Sequence, residues 1–150
     1  MTKYLIDTDI LIDYFNEKEP STSFVQRLID GVAVVISIIS VAEIRAGWNE
    51  KQAQKYMPML YTLFSVKPLT TDVAELAGKF KKDYSEKGTT LGLDDMLIAA
   101  TAINSEYTFV TRNVRHFPMP ELDLYQGLQS SNLRLLMVTS RMFLEMLKRE

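Results

Sequence analysis

The chain has 150 residues, 47% of them hydrophobic and 24% charged, enough for one compact domain with a sizeable core and too apolar for a disordered chain. Seventeen Lys and Arg against nineteen Asp and Glu give a net charge of -2, which excludes a binder driven by a strongly basic surface or tail. There is no cysteine and a single histidine, so thiolate metal sites, Cys nucleophiles and His-rich zinc sites are excluded and the chemistry falls to carboxylates.

In chain order, residues 4–6 form a short apolar run with strand character that ends at Asp7-Thr8-Asp9. Helix signals follow at once, with Asp9 as a capping residue and Ile10 and Tyr14 on the apolar face. Glu19-Pro20-Ser21 breaks that helix, and residues 23–30 read as a second one closed by Gly31. Residues 32–36 are β-branched and apolar on both faces, as in a central strand of a parallel sheet.

Ser40 and Glu43 have the spacing of a capping box and predict a helix running toward Gly47. A further helix is expected over residues 50–64, kinked at Pro58, then a weaker strand over 65–69. Asp72 caps an amphipathic helix carrying Val73, Leu76, Ala77, Phe80 and Tyr84 and ending near Gly88. Asp94 or Asp95 opens a helix through Asn104 that is apolar almost all round and so should be buried. Strands are expected over 107–111 and 122–125, and an amphipathic helix rich in Leu and Met over 133–148. No apolar run is long enough for a bilayer, which takes about 20 residues, and no targeting segment is visible. A cytoplasmic protein without membrane contact is expected.

Strands alternating with helices give an α/β fold with a mainly parallel sheet, and ligands of such sheets bind at the carboxyl ends of the strands. Asp7 and Asp9, Glu43, Asp94 and Asp95, and the stretch Thr111-Arg112-Asn113 are delivered to that edge. Carboxylates gathered there raise one another's pKa unless a cation neutralises them, and a hard ion such as Mg²⁺ or Mn²⁺ prefers their oxygens. Each residue also has an ordinary structural reading as a helix cap or a turn former. Placement on one edge is what favours a site.

Four segments, at residues 4–13, 40–47, 93–102 and 109–117, occur in order and closely resemble the PIN-domain ribonucleases, specifically VapC toxins of bacterial type II toxin–antitoxin modules. The resemblance spans about residues 3–125 and implies a three-layer α/β fold in a nuclease domain over 1–126, with 127–150 as a helical extension packed on the domain or on a partner. It implies an endoribonuclease dependent on Mg²⁺ or Mn²⁺, with metal ligands at Asp7, Glu43 and Asp95. Asn113 falls at the fourth catalytic position, where many relatives carry Asp, and this leaves a second metal ion in question. Asp94 is expected as a helix cap, Asp9 as a cap or supporting residue, and His116 as incidental.

Lys79, Lys81, Lys82, Arg112 and Arg115 offer a basic rim for RNA. The resemblance also implies a homodimer and a VapB-like antitoxin lying in an apolar groove, for which Tyr56, Met57, Met59, Leu60, Tyr61 and Phe64 are candidates, with core packing or dimerisation accounting for them at least as well. Two competing readings remain. A phosphoacceptor receiver domain would want its acid after a middle strand and a Lys after a late one, which this sequence lacks. A catalytically weak PIN-like module that only binds RNA or protein is the stronger alternative.

Overall fold

The structure, a computed structural model, describes residues 2–31 and 33–128. Four parallel strands, β1 (Tyr4–Ile6), β2 (Val34–Ser37), β3 (Ser65–Lys67) and β4 (Thr108–Val110), lie in the order β3-β2-β1-β4. Each consecutive pair of strands is joined by two helices. These are α1 (Thr8–Phe15) and α2 (Ser21–Gly31), then α3 (Ile38–Gly47) and α4 (Glu50–Leu63), then α5 (Thr71–Glu86) and α6 (Leu93–Asn104). A 3₁₀ turn, Val114–His116, follows β4. The predicted strand at 122–125 reduces to one parallel bridge between Phe109 and Leu124. The helix expected over 133–148, and with it the extension 127–150 beyond residue 128, lies outside the described residues. Among the described residues no helix is long and apolar enough to cross a membrane.

Alternation along the short strands sends apolar side chains to both faces. Leu5 joins α5, α6, Phe109 and Phe117 in one core cluster, while its neighbour Ile6 joins α1, α2, Ile36 and Val110 in the other. The result is three layers, with the sheet in the middle. All of β2 is buried, as expected for a central strand covered on both sides.

Several helix starts differ from the sequence reading by two or three residues. The N-cap of α3 is Ser37, whose hydroxyl accepts the Ile39 N–H at 3.1 Å, so Ser40 and Glu43 stand inside the helix and form no capping box. Ser37 wins because the strand ends there. Its extended backbone (φ -73°, ψ 148°) is the geometry an N-cap requires. Thr70, not Asp72, caps α5, and Gly92, not Asp94 or Asp95, precedes α6 without a side-chain bond. Asp7, not Asp9, caps α1. The α4 helix carries Pro58 inside it and runs on to Leu63. Gly88 at φ 83° takes the left-handed position just past α5, where glycine carries no Cβ penalty.

The strand order places β1 between β2, the next strand in sequence, and β4, the last. The chain leaving β1 crosses to the β2 side, whereas the chain leaving β4 returns beside β4 on the other side, at Leu124, so a crevice opens above the carboxyl ends of β1 and β4. Asp7 and Thr111 are the first residues beyond those two strands.

Candidate functional site

Asp7 is fixed at this crevice by both chain neighbours and the sheet. Its N–H donates to the Val110 carbonyl at 2.9 Å, and one carboxylate oxygen accepts the Thr8 N–H at 2.8 Å. The other oxygen accepts the Thr111 hydroxyl at 2.7 Å. The residue is buried, only 5% exposed. Burial, and then the charge of Asp9, push its pKa up to about 7, against the lowering effect of the Thr111 and Thr8 hydrogen bonds.

Asp9, two residues further on, accepts the Arg112 N–H at 3.0 Å and the Ile10 N–H at 2.7 Å. It ties the loop after β4 to the start of α1. Burial raises its pKa while those backbone donors and Arg112 lower it.

Glu43 reaches the same region from α3, one turn inside the helix. Thr8 Oγ1 lies 2.8 Å from Glu43 Oε1 and 2.9 Å from Ser40 Oγ. A hydroxyl has one proton, and the carboxylate accepts it from Thr8, so Ser40 donates to Thr8 in turn. This relay orients Glu43. Sequence reasoning missed Thr8 and the true place of Ser40, because nothing in the local pattern links positions that are 32 and 35 residues apart.

Asp95 enters from the first turn of α6 and stands 3.2 Å from His116 Nδ1. Burial raises its pKa, Asp94 adds to the rise, and His116 opposes it. His116, expected to be incidental, is thus in direct contact with the cluster. Burial likewise raises Glu43, with the charges of Asp94 and Asp95 adding to it and the Thr8 hydrogen bond opposing it. Asp94 therefore belongs to the carboxylate field and is not the cap of its helix.

The structure brings Asp7, Glu43 and Asp95 into one electrostatic cluster with Asp9 and Asp94. Asn113 is joined to them through Thr111. Its backbone N–H donates to Thr111 Oγ1 at 3.0 Å, and the residue is exposed beside the 3₁₀ turn. Thr111 carries the link to Asp7 instead. Among the described residues no three acidic or histidine side chains converge closely enough to hold an ion as they stand. The donor chemistry nevertheless fits a hard divalent cation: the groups are all carboxylates, and burial first, then their mutual repulsion, raises their pKa values, both of which a cation would offset.

The expected basic rim is mostly committed elsewhere. Lys79 pairs with Asp83 at 2.6 Å, Lys82 with Glu86 at 3.9 Å, and Lys81 Nζ donates to the Leu91 carbonyl at 2.8 Å. Arg112, on the loop after β4, is bonded to Asp9 of the cluster, and Arg115 follows in the 3₁₀ turn.

The apolar residues of α4 divide in two. Leu60 and the C-cap residue Phe64 follow the core alternative, buried with Ile6, Ile36 and Val110 of the sheet. Tyr56 and Met59 line a groove of about 560 Å³ together with Tyr14 and Phe15 of α1 and Thr22 and Gln26 of α2.

The PIN domain family model matches residues 4–120. Ribonuclease VapC10 of Mycobacterium tuberculosis is 32% identical over 117 residues, covering 78% of this chain and 87% of that protein. Ribonuclease VapC1 of Methanocaldococcus jannaschii is 28% identical over 116 residues, 77% of this chain and 79% of that protein. Among solved structures, VapBC2 from Rickettsia felis bound to a promoter DNA fragment superposes with a TM-score of 0.73 at 24% identity, over 83% of this chain and 98% of that one. A toxin–antitoxin complex from Klebsiella pneumoniae gives 0.67 at 26% identity, over 84% and 98%. Family model, curated relatives and fold agree, and the chain belongs to the PIN-domain family, among the relatives named ribonuclease VapC.

Proposed function

We propose that this protein is a divalent-metal-dependent endoribonuclease of the VapC toxin type, which hydrolyses RNA phosphodiester bonds and is held inactive by a VapB-like antitoxin. The observation that carries the reading is the cluster of Asp7, Glu43 and Asp95 at the crevice of a sheet whose family is shown. Asp7, Glu43 and Asp95 would hold Mg²⁺ or Mn²⁺. When bound, the ion supplies an activated water and offsets charge on the phosphorane-like transition state.

The chain's own residues do the rest. Thr111 and the Thr8 N–H fix the two oxygens of Asp7, and the Ser40–Thr8 relay fixes Glu43. His116 holds Asp95 from outside. Asn113 stands in for the acid many relatives carry, so one negative charge fewer faces the RNA. Attack by water leaves 5′-phosphate and 3′-hydroxyl ends. The groove between α1, α2 and α4 is where we place an antitoxin segment, since it is open and sets the rings of Tyr14, Phe15 and Tyr56 and the Met59 side chain among the polar groups of Asn16, Glu17, Gln26 and Lys55. The family resemblance adds a homodimer and a cytoplasmic location to the reading.

Purified protein, freed of antitoxin, is incubated with total bacterial RNA in Mg²⁺ or Mn²⁺ and then in chelator. Discrete metal-dependent fragments that disappear in Asp95→Asn are expected. Persistent cleavage in Asp95→Asn would show that the site is misplaced, and no cleavage by the folded protein in either metal would leave a binding module.

A further inference from the structure

Asp13 is a buried carboxylate that the chemistry above does not use. It lies in α1, 6% exposed. A buried carboxylate needs a charged partner and hydrogen bonds to be tolerated. Ser21 Oγ, at the start of α2, donates to Asp13 Oδ2 at 2.9 Å, and Arg112 Nε meets the same oxygen at 2.8 Å.

Arg112 is therefore held at two points. Its main-chain N–H donates to Asp9 in the carboxylate cluster, and its side chain is drawn to Asp13. Pairing through Nε uses one of five guanidinium donors, and 51% of the side chain is still exposed. Tied to Asp9 through its main chain, Arg112 presents the exposed part of its guanidinium next to the acidic cluster, with donors left for a phosphate. Arg112 is bonded to the acidic cluster through its own main chain, whereas the bonds of the α5 lysines run to Asp83, Glu86 and the Leu91 carbonyl.

We infer that Arg112, aimed by Asp13 and Ser21, is a phosphate-binding residue that takes the RNA phosphodiester adjacent to the one cut. This rests on the ribonuclease reading. Asp13 and Ser21 are positioning residues, since they touch RNA only through the arginine.

The test uses the full chain carrying Asp95→Asn, so that RNA is bound and not cut. Binding of a fluorescein-labelled, mixed-sequence single-stranded RNA is followed by anisotropy between about 50 and 200 mM salt. Adding Arg112→Gln is expected to weaken binding roughly tenfold, as for loss of a charged hydrogen bond. It should also flatten the slope of log K against log salt by about 0.7, the share of one phosphate contact on a single strand. Arg112→Lys keeps the charge and should restore the slope. In the cleaving protein Arg112→Gln should raise KM and leave kcat little changed.

An Arg112→Gln protein with unchanged affinity and salt slope overturns the inference while leaving the ribonuclease reading intact. A fall in kcat and melting temperature at unchanged slope also overturns it, in favour of a purely structural tether. Should Arg112→Gln melt below the assay temperature, Asp13→Asn replaces it: a raised KM at unchanged kcat supports the aiming role and an unchanged KM sinks it. RNA neither bound by the Asp95→Asn protein nor cut by the parent removes the ribonuclease reading itself.

Discussion

Asp7 joins the fold to its chemistry. As N-cap of α1 it is a structural residue, yet its carboxylate is buried beside Asp9 and pushed up to about 7. The unfolded chain's Asp titrates near 3.8, so between pH 4 and pH 7 the folded protein binds more protons than the unfolded one. Stability must then fall as pH rises through that window. Asp9, Glu43 and Asp95, all raised, act in the same direction. In chelator the melting temperature is expected to drop from pH 5 to pH 8. Asp7→Asn should flatten much of that drop, and added Mg²⁺ should reverse it in the unsubstituted protein. A melting temperature that climbs over this range without metal would contradict the burial argument for Asp7.

At the scale of the element, α3 shows how a cap and a site share one helix start. Two serines three positions apart divide the work: Ser37 caps the helix, while Ser40 faces Thr8 and through it Glu43. Ser37→Ala should cost about 1 kcal/mol of stability through loss of the cap and leave cleavage little affected. Ser40→Ala should instead lower kcat through the disoriented Glu43, with the helix start unchanged. Thermal melts and single-substrate kinetics on the two variants separate the roles, and the reverse pattern would restore Ser40 as the cap. The capping-box spacing of Ser40 and Glu43 was legible in the sequence but misleading. Which serine caps depends on where β2 stops, and strand pairing with β1 and β3 decides that.

Across the whole molecule, α4 carries both a core residue and one wall of the groove proposed for the antitoxin. Leu60 is fully buried under the sheet, whereas Met59, its neighbour, is 43% exposed and lines the groove against Tyr14 and Phe15. Leu60→Ala should destabilise by roughly 2–5 kcal/mol through the cavity it leaves. Met59→Ala should leave the melting temperature nearly unchanged and weaken capture by a VapB-like antitoxin peptide. Calorimetric melts together with peptide titration test both, and an antitoxin affinity indifferent to Met59 would move the partner off this groove.

The sequence by itself determined the α/β class and the order of elements through β4, and its family resemblance offered Asp7, Glu43 and Asp95 as candidate acids. Strand and helix periodicity, and residues flanking strand ends, are local properties that a linear chain displays. It also displayed the apolar α6, whose buried residues run from Met96 to Ala102. Only the tertiary structure decided the β3-β2-β1-β4 order, which sets Thr111 against Asp7 across 104 residues. It decided too that Thr8 serves Glu43, that His116 meets Asp95, and that Asp13 holds Arg112. Such pairings depend on which surfaces close against each other once the apolar faces are buried. Burial is a property of the packed chain, so the raised pKa values that mark the cluster have no counterpart in the spacing of its residues.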